Sequence, residues 1–180
     1  MLGASAALGV TFGLLRAAGP ASVALLAALP AGAAFAWFDS RRAARELAAE
    51  LAGTMCFAAW PAAIALAGGR PVLVALALSG FALARSLTTM LTVRTLLRRR
   101  KREPVSRRPA VVATLASVLV FAEFAWRTGV WLPGAWTVVF ALRTGWLLSP
   151  WAPAWPARRV GVIELALGAA VIVSTGFSLR

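Results

Sequence analysis

Seven long apolar stretches, each broken off by proline, glycine or arginine, constrain this chain more than any other feature. They cover residues 2–15, 20–38, 47–66, 71–97, 109–126, 133–148 and 160–179. A helix that crosses about 30 Å of hydrocarbon needs about 20 mostly apolar residues, and these stretches approach or meet that length; residues 2–15 form the weakest. Helices satisfy their own backbone hydrogen bonds, as lipid demands. Composition agrees: 61% of residues are hydrophobic, 14% are charged, and the mean hydropathy is +0.80. Soluble domains carry roughly 45–50% apolar and about 25% charged residues, so too few polar groups remain here to cover the apolar surface against water. The expected fold class is all-α: a polytopic transmembrane bundle of about seven helices, forming one domain over residues 1–180.

The breaks carry turn chemistry. Gly19-Pro20, Gly68-Gly69-Arg70-Pro71, Glu103-Pro104 and Pro133-Gly134 fall at segment edges, where such dipeptides punctuate structure. Four segments begin at or beside a proline, a place where the missing N–H removes no helix bond. Residues 149–156, with prolines at 150, 153 and 156, read as a loop or interfacial strap. A secretory signal would carry basic residues before its apolar stretch. Here Met1, Leu2 and Gly3 precede it and Arg16 follows it, so residues 2–15 read as a retained helix.

Arginine gives the expected orientation. With seven helices, alternate loops on one side hold Arg41, Arg42 and Arg45; Arg98, Arg99, Arg100, Lys101, Arg102, Arg107 and Arg108; and Arg158 and Arg159. Only Arg16, Arg70, Arg127 and Arg180 fall on the other. Basic residues gather in short cytoplasmic loops. The twelve-to-four split therefore expects a multi-pass protein of the inner (plasma) membrane, N-terminus in the cytoplasm and C-terminus outside. Trp37, Trp60, Trp126, Trp131, Trp151 and Trp155 sit near proposed helix ends, where tryptophan anchors in the headgroup region; Trp136 and Trp146 lie further in.

The formal charge of +13 would by itself fit a nucleic-acid binder. Its confinement to one loop and to segment edges argues for membrane topology instead, and no nucleic-acid partner is expected. The lone Cys56 cannot close an internal disulfide, and one cysteine without any histidine cannot build a zinc site. The absence of histidine also removes Ser-His and Cys-His catalysis. Carboxylates are confined to Asp39, Glu46, Glu50, Glu103, Glu123 and Glu164.

A charge at the bilayer centre costs about 2.5–3.5 kcal/mol or more, so charges within the stretches single themselves out: Glu50, Arg85, Arg94, Glu123, Arg143 and Glu164. Glu123 and Arg127, four apart with the glutamate first, read as a structural pair near the outer surface. Arg143 lies ~9 Å and Glu164 ~6 Å from the cytoplasmic ends of their helices. That similar depth predicts an interhelical ion pair, and a register-fixing pair or a snorkelling arginine stands beside a functional pocket as its reading. Arg85 is deepest, ~18 Å from its helix end. Thr88, Thr92, Thr95 and Arg99 follow it at three- and four-residue spacing and share its face. Arg94 lies near the opposite face, close enough to the cytoplasm to snorkel. Glu50 enters at comparable depth as a partner for Arg85 or Arg94. The candidate polar pocket is thus Glu50, Arg85, Thr88, Thr92, Arg94, Arg143 and Glu164. It opens toward the cytoplasm and suits an anionic headgroup or phosphate-bearing lipid.

Three stretches resemble the YwiC-like family of bacterial membrane proteins, which is similar in layout to the UbiA prenyltransferase superfamily. They are residues 41–51 (RRAARELAAEL), the run from Arg85-Ser86 through Val93-Arg94 to Arg98, Arg99 and Arg100, and residues 158–164 (RRVGVIE). Together they span about residues 20–180. The resemblance implies a UbiA-like helical bundle. Family members usually begin with a further helical region bearing a His-Gly-Ala-Trp element; this chain has no histidine, and a nine-helix ancestor without its first two helices would keep the polarity deduced above. UbiA-type enzymes hold magnesium diphosphate on two aspartate-rich motifs. Here the one aspartate is Asp39, and the loop matching the second motif, residues 98–109, is basic. Magnesium prefers oxygen ligands such as carboxylates, so prenyl transfer by that route, and any cofactor, is not expected.

The leading expectation is a non-catalytic polytopic protein that binds an isoprenoid or anionic lipid in a cytoplasm-facing pocket. The alternative is a small transporter or permease component using the buried Arg and Glu residues, with a membrane enzyme of other chemistry third. No internal repeat is evident, whereas many transporter folds are built from repeats.

Overall fold

A computed structural model describes residues 19–44, 46–128, 131–152 and 155–178. The expected helix at residues 2–15 lies outside them. The described residues contain six helices and no strand: α1 Pro20–Ser40, α2 Leu47–Ala67, α3 Val72–Arg100, α4 Arg108–Thr128, α5 Trp131–Leu148 and α6 Ala157–Ser178. Of these, α1, α2 and α3 are long and apolar enough to cross a membrane. The chain divides into two compact units, Met1–Leu83 and Ala84–Arg180.

In the N-terminal unit, α1 packs along α2 through small residues. A Cβ on Gly53 would lie 3.1 Å from the Phe35 ring, and one on Gly32 would lie 3.3 Å from Cys56 Sγ. The buried side of α2 is almost wholly alanine and glycine: Ala49, Ala52, Gly53, Ala58, Ala62, Ala63 and Ala65. Small residues let helix backbones approach closely where no water-driven force holds helices together. Ala75 joins Ala62 and Ala65 in the core, and Ser79 Oγ donates to the Ala58 carbonyl. Pro30 and Pro61 sit inside α1 and α2, a placement that membrane helices tolerate when neighbours re-satisfy the freed backbone groups.

Three helix ends repeat one backbone motif. At the end of α2, Arg70 N–H bonds the Ala65 carbonyl (2.9 Å) and Gly69 N–H bonds that of Leu66 (3.0 Å), with Gly69 at φ +72. This is a Schellman motif with its left-handed residue at the position after the cap. After α1, Arg42 takes that place (φ 58), with Ala43 N–H on Phe38 and Arg42 N–H on Asp39, both 2.9 Å. After α3 it is Arg102 (φ 58), with Glu103 N–H on Arg98 at 3.1 Å and Arg102 N–H on Arg99 at 3.0 Å. Two of the three expected cytoplasmic loops therefore start from the same sharp stop.

In the C-terminal unit, α4 packs on α5, with Gly134 close to Ala125 Cβ (3.4 Å) and the Phe121 carbonyl (3.5 Å). Phe121, Phe140, Leu96, Leu147 and Val160 are buried. Val93 and Trp155 close over the last three. Among the described residues, buried threonines accompany them: Thr88, Thr92, Thr95, Thr114, Thr137 and Thr144. The outward faces are apolar, with Leu119, Leu142 and Leu165 each at least 70% exposed. An interior that mixes threonine with apolar side chains, under an outer face of leucine, departs from the arrangement expected in water.

Candidate functional site

The polar face of α3 turns into the C-terminal unit. Thr88 and Thr92 are fully buried and Thr95 nearly so, which follows from their three- and four-residue spacing behind Arg85. Thr92 Oγ1 meets Thr144 Oγ1 of α5 at 3.4 Å, and Thr114 Oγ1 of α4 donates to the same oxygen at 3.5 Å. Each is a long contact. One hydroxyl from each of three helices thus meets at a buried point, where an unpaired polar group would be costly.

One to two turns toward the start of α3 lies the charge. Glu164 of α6 forms an ion pair with Arg143 of α5, through Oε1 and Nη2. Its other oxygen, Oε2, accepts from Thr89 Oγ1 at 3.3 Å. Arg85 Nη2 donates to the Glu164 backbone carbonyl at 3.2 Å, and its guanidinium stands 6.0 Å from the Phe140 ring centre. Gly168, one turn beyond Glu164, gives Arg85 room: a Cβ there would collide with the guanidinium. Two guanidiniums therefore converge on Glu164, Arg143 on its carboxylate and Arg85 on its backbone carbonyl, and among the described residues Arg85 Nε, Arg143 Nε and Arg143 Nη1 are buried without hydrogen-bond partners.

Beside Arg85 is a small cleft lined by Thr88 of α3, Thr114 and Ser117 of α4, and Thr137 and Phe140 of α5. It has room for about one water-sized occupant, about 10 Å³. That is far too little for a lipid headgroup. Its hydroxyls bond the carbonyls of their own helices, Thr88 on Arg85, Thr114 on Ala110, Ser117 on Ala113 and Thr137 on Gly134, at 2.7–2.9 Å.

Of the residues singled out by sequence, Arg85, Thr88, Thr92, Arg143 and Glu164 come together in the C-terminal unit. Arg94 lies in the same unit, half-buried, and Glu50 is half-buried in the first turn of α2, in the N-terminal unit. Glu123 is exposed on α4, and the Arg127 side chain expected to pair with it lies outside the described side chains. Sequence reasoning did not single out Thr89, Thr114, Thr137, Thr144 or Gly168. Gly168 stands four residues after Glu164, a spacing that places both on one helix face.

The basic end of this unit has its own geometry. Arg99 Nη1 donates to the Leu148 carbonyl at 2.9 Å, and Arg100 Nη1 donates to that of Trp155. These bonds bring the end of α3 against the end of α5 and the strap before α6. Trp146 and Trp155 meet edge to face at 5.1 Å, with the Arg159 guanidinium 5.2 Å from the Trp155 ring centre. Arg98 pairs with Glu103 at 2.8 Å. Lys101, Arg102, Arg107, Arg108, Arg158 and Arg159 are exposed around this end, and Trp151 is 86% exposed beside them.

No protein-family model, no curated protein and no solved structure matches the chain.

Proposed function

We propose that this chain is a multi-spanning protein of the inner membrane, of YwiC-like type with a UbiA-like bundle, that holds an anionic lipid or isoprenoid phosphate at the basic, cytoplasm-facing end of its C-terminal unit. The observation that carries this reading is the concentration of exposed cations at that end against a single carboxylate, Glu103, which Arg98 already engages. Clusters of four to eight Lys and Arg beside membrane helices attract anionic headgroups, each contributing about 1 kcal/mol. The adjoining Trp146, Trp151 and Trp155 supply rings suited to the interface. The inner cleft is too small for a headgroup, so the phosphate sits at this rim and the acyl or prenyl chain lies along the apolar outer face. With one aspartate in the sequence, Asp39, the proposed binding proceeds without magnesium-dependent prenyl transfer.

The test is lipid retention by the purified full chain in mixed-lipid nanodiscs. Anionic phospholipid should be enriched around the protein, and Arg107→Gln, Arg108→Gln and Arg158→Gln together should remove most of that enrichment. Retention unchanged in the triple variant rejects the site. Cysteine placed at Lys101 in a Cys56→Ala background tests the orientation, because labelling from outside intact cells would reverse it.

The buried cluster favours a second reading, a small transporter or permease component. Counterflow in proteoliposomes that disappears in Arg85→Gln would support it.

A further inference from the structure

The C-terminal unit contains three carboxylates, and their positions leave its interior with an unmatched positive charge. Glu103 is in the basic loop on Arg98, and Glu123 is exposed on α4. Glu164 alone faces Arg85 and Arg143. The Arg143 side chain is 9% exposed and that of Glu164 12%. Arginine does not give up its proton in proteins, so the cluster carries one more positive than negative charge in a region where burial penalises charge heavily. Arg143 is held by the Glu164 carboxylate. Among the described residues, Arg85 donates to the Glu164 backbone carbonyl, which is neutral, and its Nε–H has no hydrogen-bond partner. Of the two guanidiniums, only Arg85 lines the cleft.

We infer that this cleft binds one monovalent anion of halide size against Arg85. Its walls fit that guest. Arg85 supplies a charged N–H. The hydroxyls of Thr88, Ser117 and Thr137 donate to carbonyls of their own helices, and rotation toward the cleft would let each donate to the ion instead. Phe140 lines one side. The cleft holds about one water-sized guest, so a halide, somewhat larger than water, would enter by a slight widening, whereas phosphate, carboxylate-bearing metabolites and lipid heads are much too large. Arg143 lies outside the cleft lining and remains on Glu164. The site is separate from the basic rim and does not depend on the lipid reading.

The experiment is equilibrium binding of radioactive chloride to the purified full chain in zwitterionic nanodiscs, with gluconate as the other anion. One saturable chloride per chain is expected, displaced by bromide and not by gluconate. Arg85→Gln leaves the Arg143–Glu164 pair intact and neutral, and should weaken binding about tenfold or more, the effect of losing one hydrogen bond to a charged group. Glu164→Gln raises the excess charge and should keep or tighten binding, which general damage to the fold would not do. Chloride should also raise the melting temperature of the wild type and not of Arg85→Gln. The triple variant at Arg107, Arg108 and Arg158 should bind chloride as the wild type does. Absence of saturable binding, unchanged binding in Arg85→Gln, or loss in the triple variant would overturn the inference.

Discussion

Arg143 on α5 and Glu164 on α6 form an ion pair in which the two side chains are only 9% and 12% exposed, while Leu165, the next residue, is 74% exposed. Adjacent positions on one helix thus face opposite environments, charge inward and leucine outward. The pair joins two helices by a contact that cannot be half made. Removing one member of a buried pair costs about 3–5 kcal/mol, whereas replacing both with apolar residues is often neutral. Glu164→Leu and Arg143→Leu should each strongly lower stability in detergent unfolding. The double variant should recover much of the loss, though Thr89 Oγ1 then loses its partner. A double variant as unstable as the sum of the singles would show that the two side chains do not depend on one another.

Gly168 yields a second prediction from the same cluster. A Cβ there meets the far end of the flexible Arg85 side chain, which would swing aside at the expense of its bond to the Glu164 carbonyl, so Gly168→Ala should destabilise by about 1–2 kcal/mol. Gly161, on the same helix, has open space around it. Gly161→Ala should be neutral or slightly stabilising, by up to about 1 kcal/mol from helix propensity. Adding Arg85→Ala to Gly168→Ala should relieve the clash. Equal effects at the two glycines would remove the argument for a close approach.

The helices were largely legible because their ends are written in residue types with fixed backbone consequences. Pro20 opens α1, the Gly68-Gly69 pair ends α2, and α5 stops at Leu148 before the proline-rich strap. The differences also have physical causes. The apolar pattern of α3 stops at Leu97, but the helix continues to Arg100, since arginine is a good helix former and its charge suits a C-terminus. Helix α5 starts at Trp131, because proline is tolerated anywhere in a first turn and Pro133 need not begin it. Within the cluster, the α3 stripe shows its own period, and the depths of Arg143 and Glu164 bring them level. Thr114, Thr137 and Thr144 are isolated threonines on separate helices, and nothing local tells which of them meet. Gly168 carries no signal in the sequence that sets it apart from other helical glycines; the approach of Arg85 explains it.

The threonine meeting point gives a third prediction. Thr92 is fully buried, and its hydroxyl has a 3.4 Å contact with Thr144. Thr92→Val keeps the branched shape and removes that oxygen, leaving Thr114 still able to donate to Thr144. The expected loss is at most about 0.5 kcal/mol, the low end for a hydrogen bond, because a 3.4 Å contact between two oxygens is long. Thr144→Val should cost more, because it strips a partner from both Thr92 and Thr114. Unfolding midpoints of the two variants, measured at equal slope, decide the order.

The repeated helix stop makes the last prediction, and it differs in sign between two sites. Gly69 and Arg102 hold the same left-handed place in the same pair of bonds. For a residue with a Cβ that conformation costs about 1–2 kcal/mol, partly offset in glycine by its greater freedom when unfolded. Arg102→Gly should therefore stabilise the chain by about 0.5–1 kcal/mol, even though it removes a positive charge from the rim. Gly69→Ala should destabilise it by about 1 kcal/mol, having the strain and no compensating contact, since nothing lies within 4 Å of the added Cβ. An Arg102→Gly variant that loses stability would mean that the side chain of Arg102, and not the backbone alone, holds the turn; anionic lipid added to that variant would then shift its melting temperature less than it shifts the wild type's.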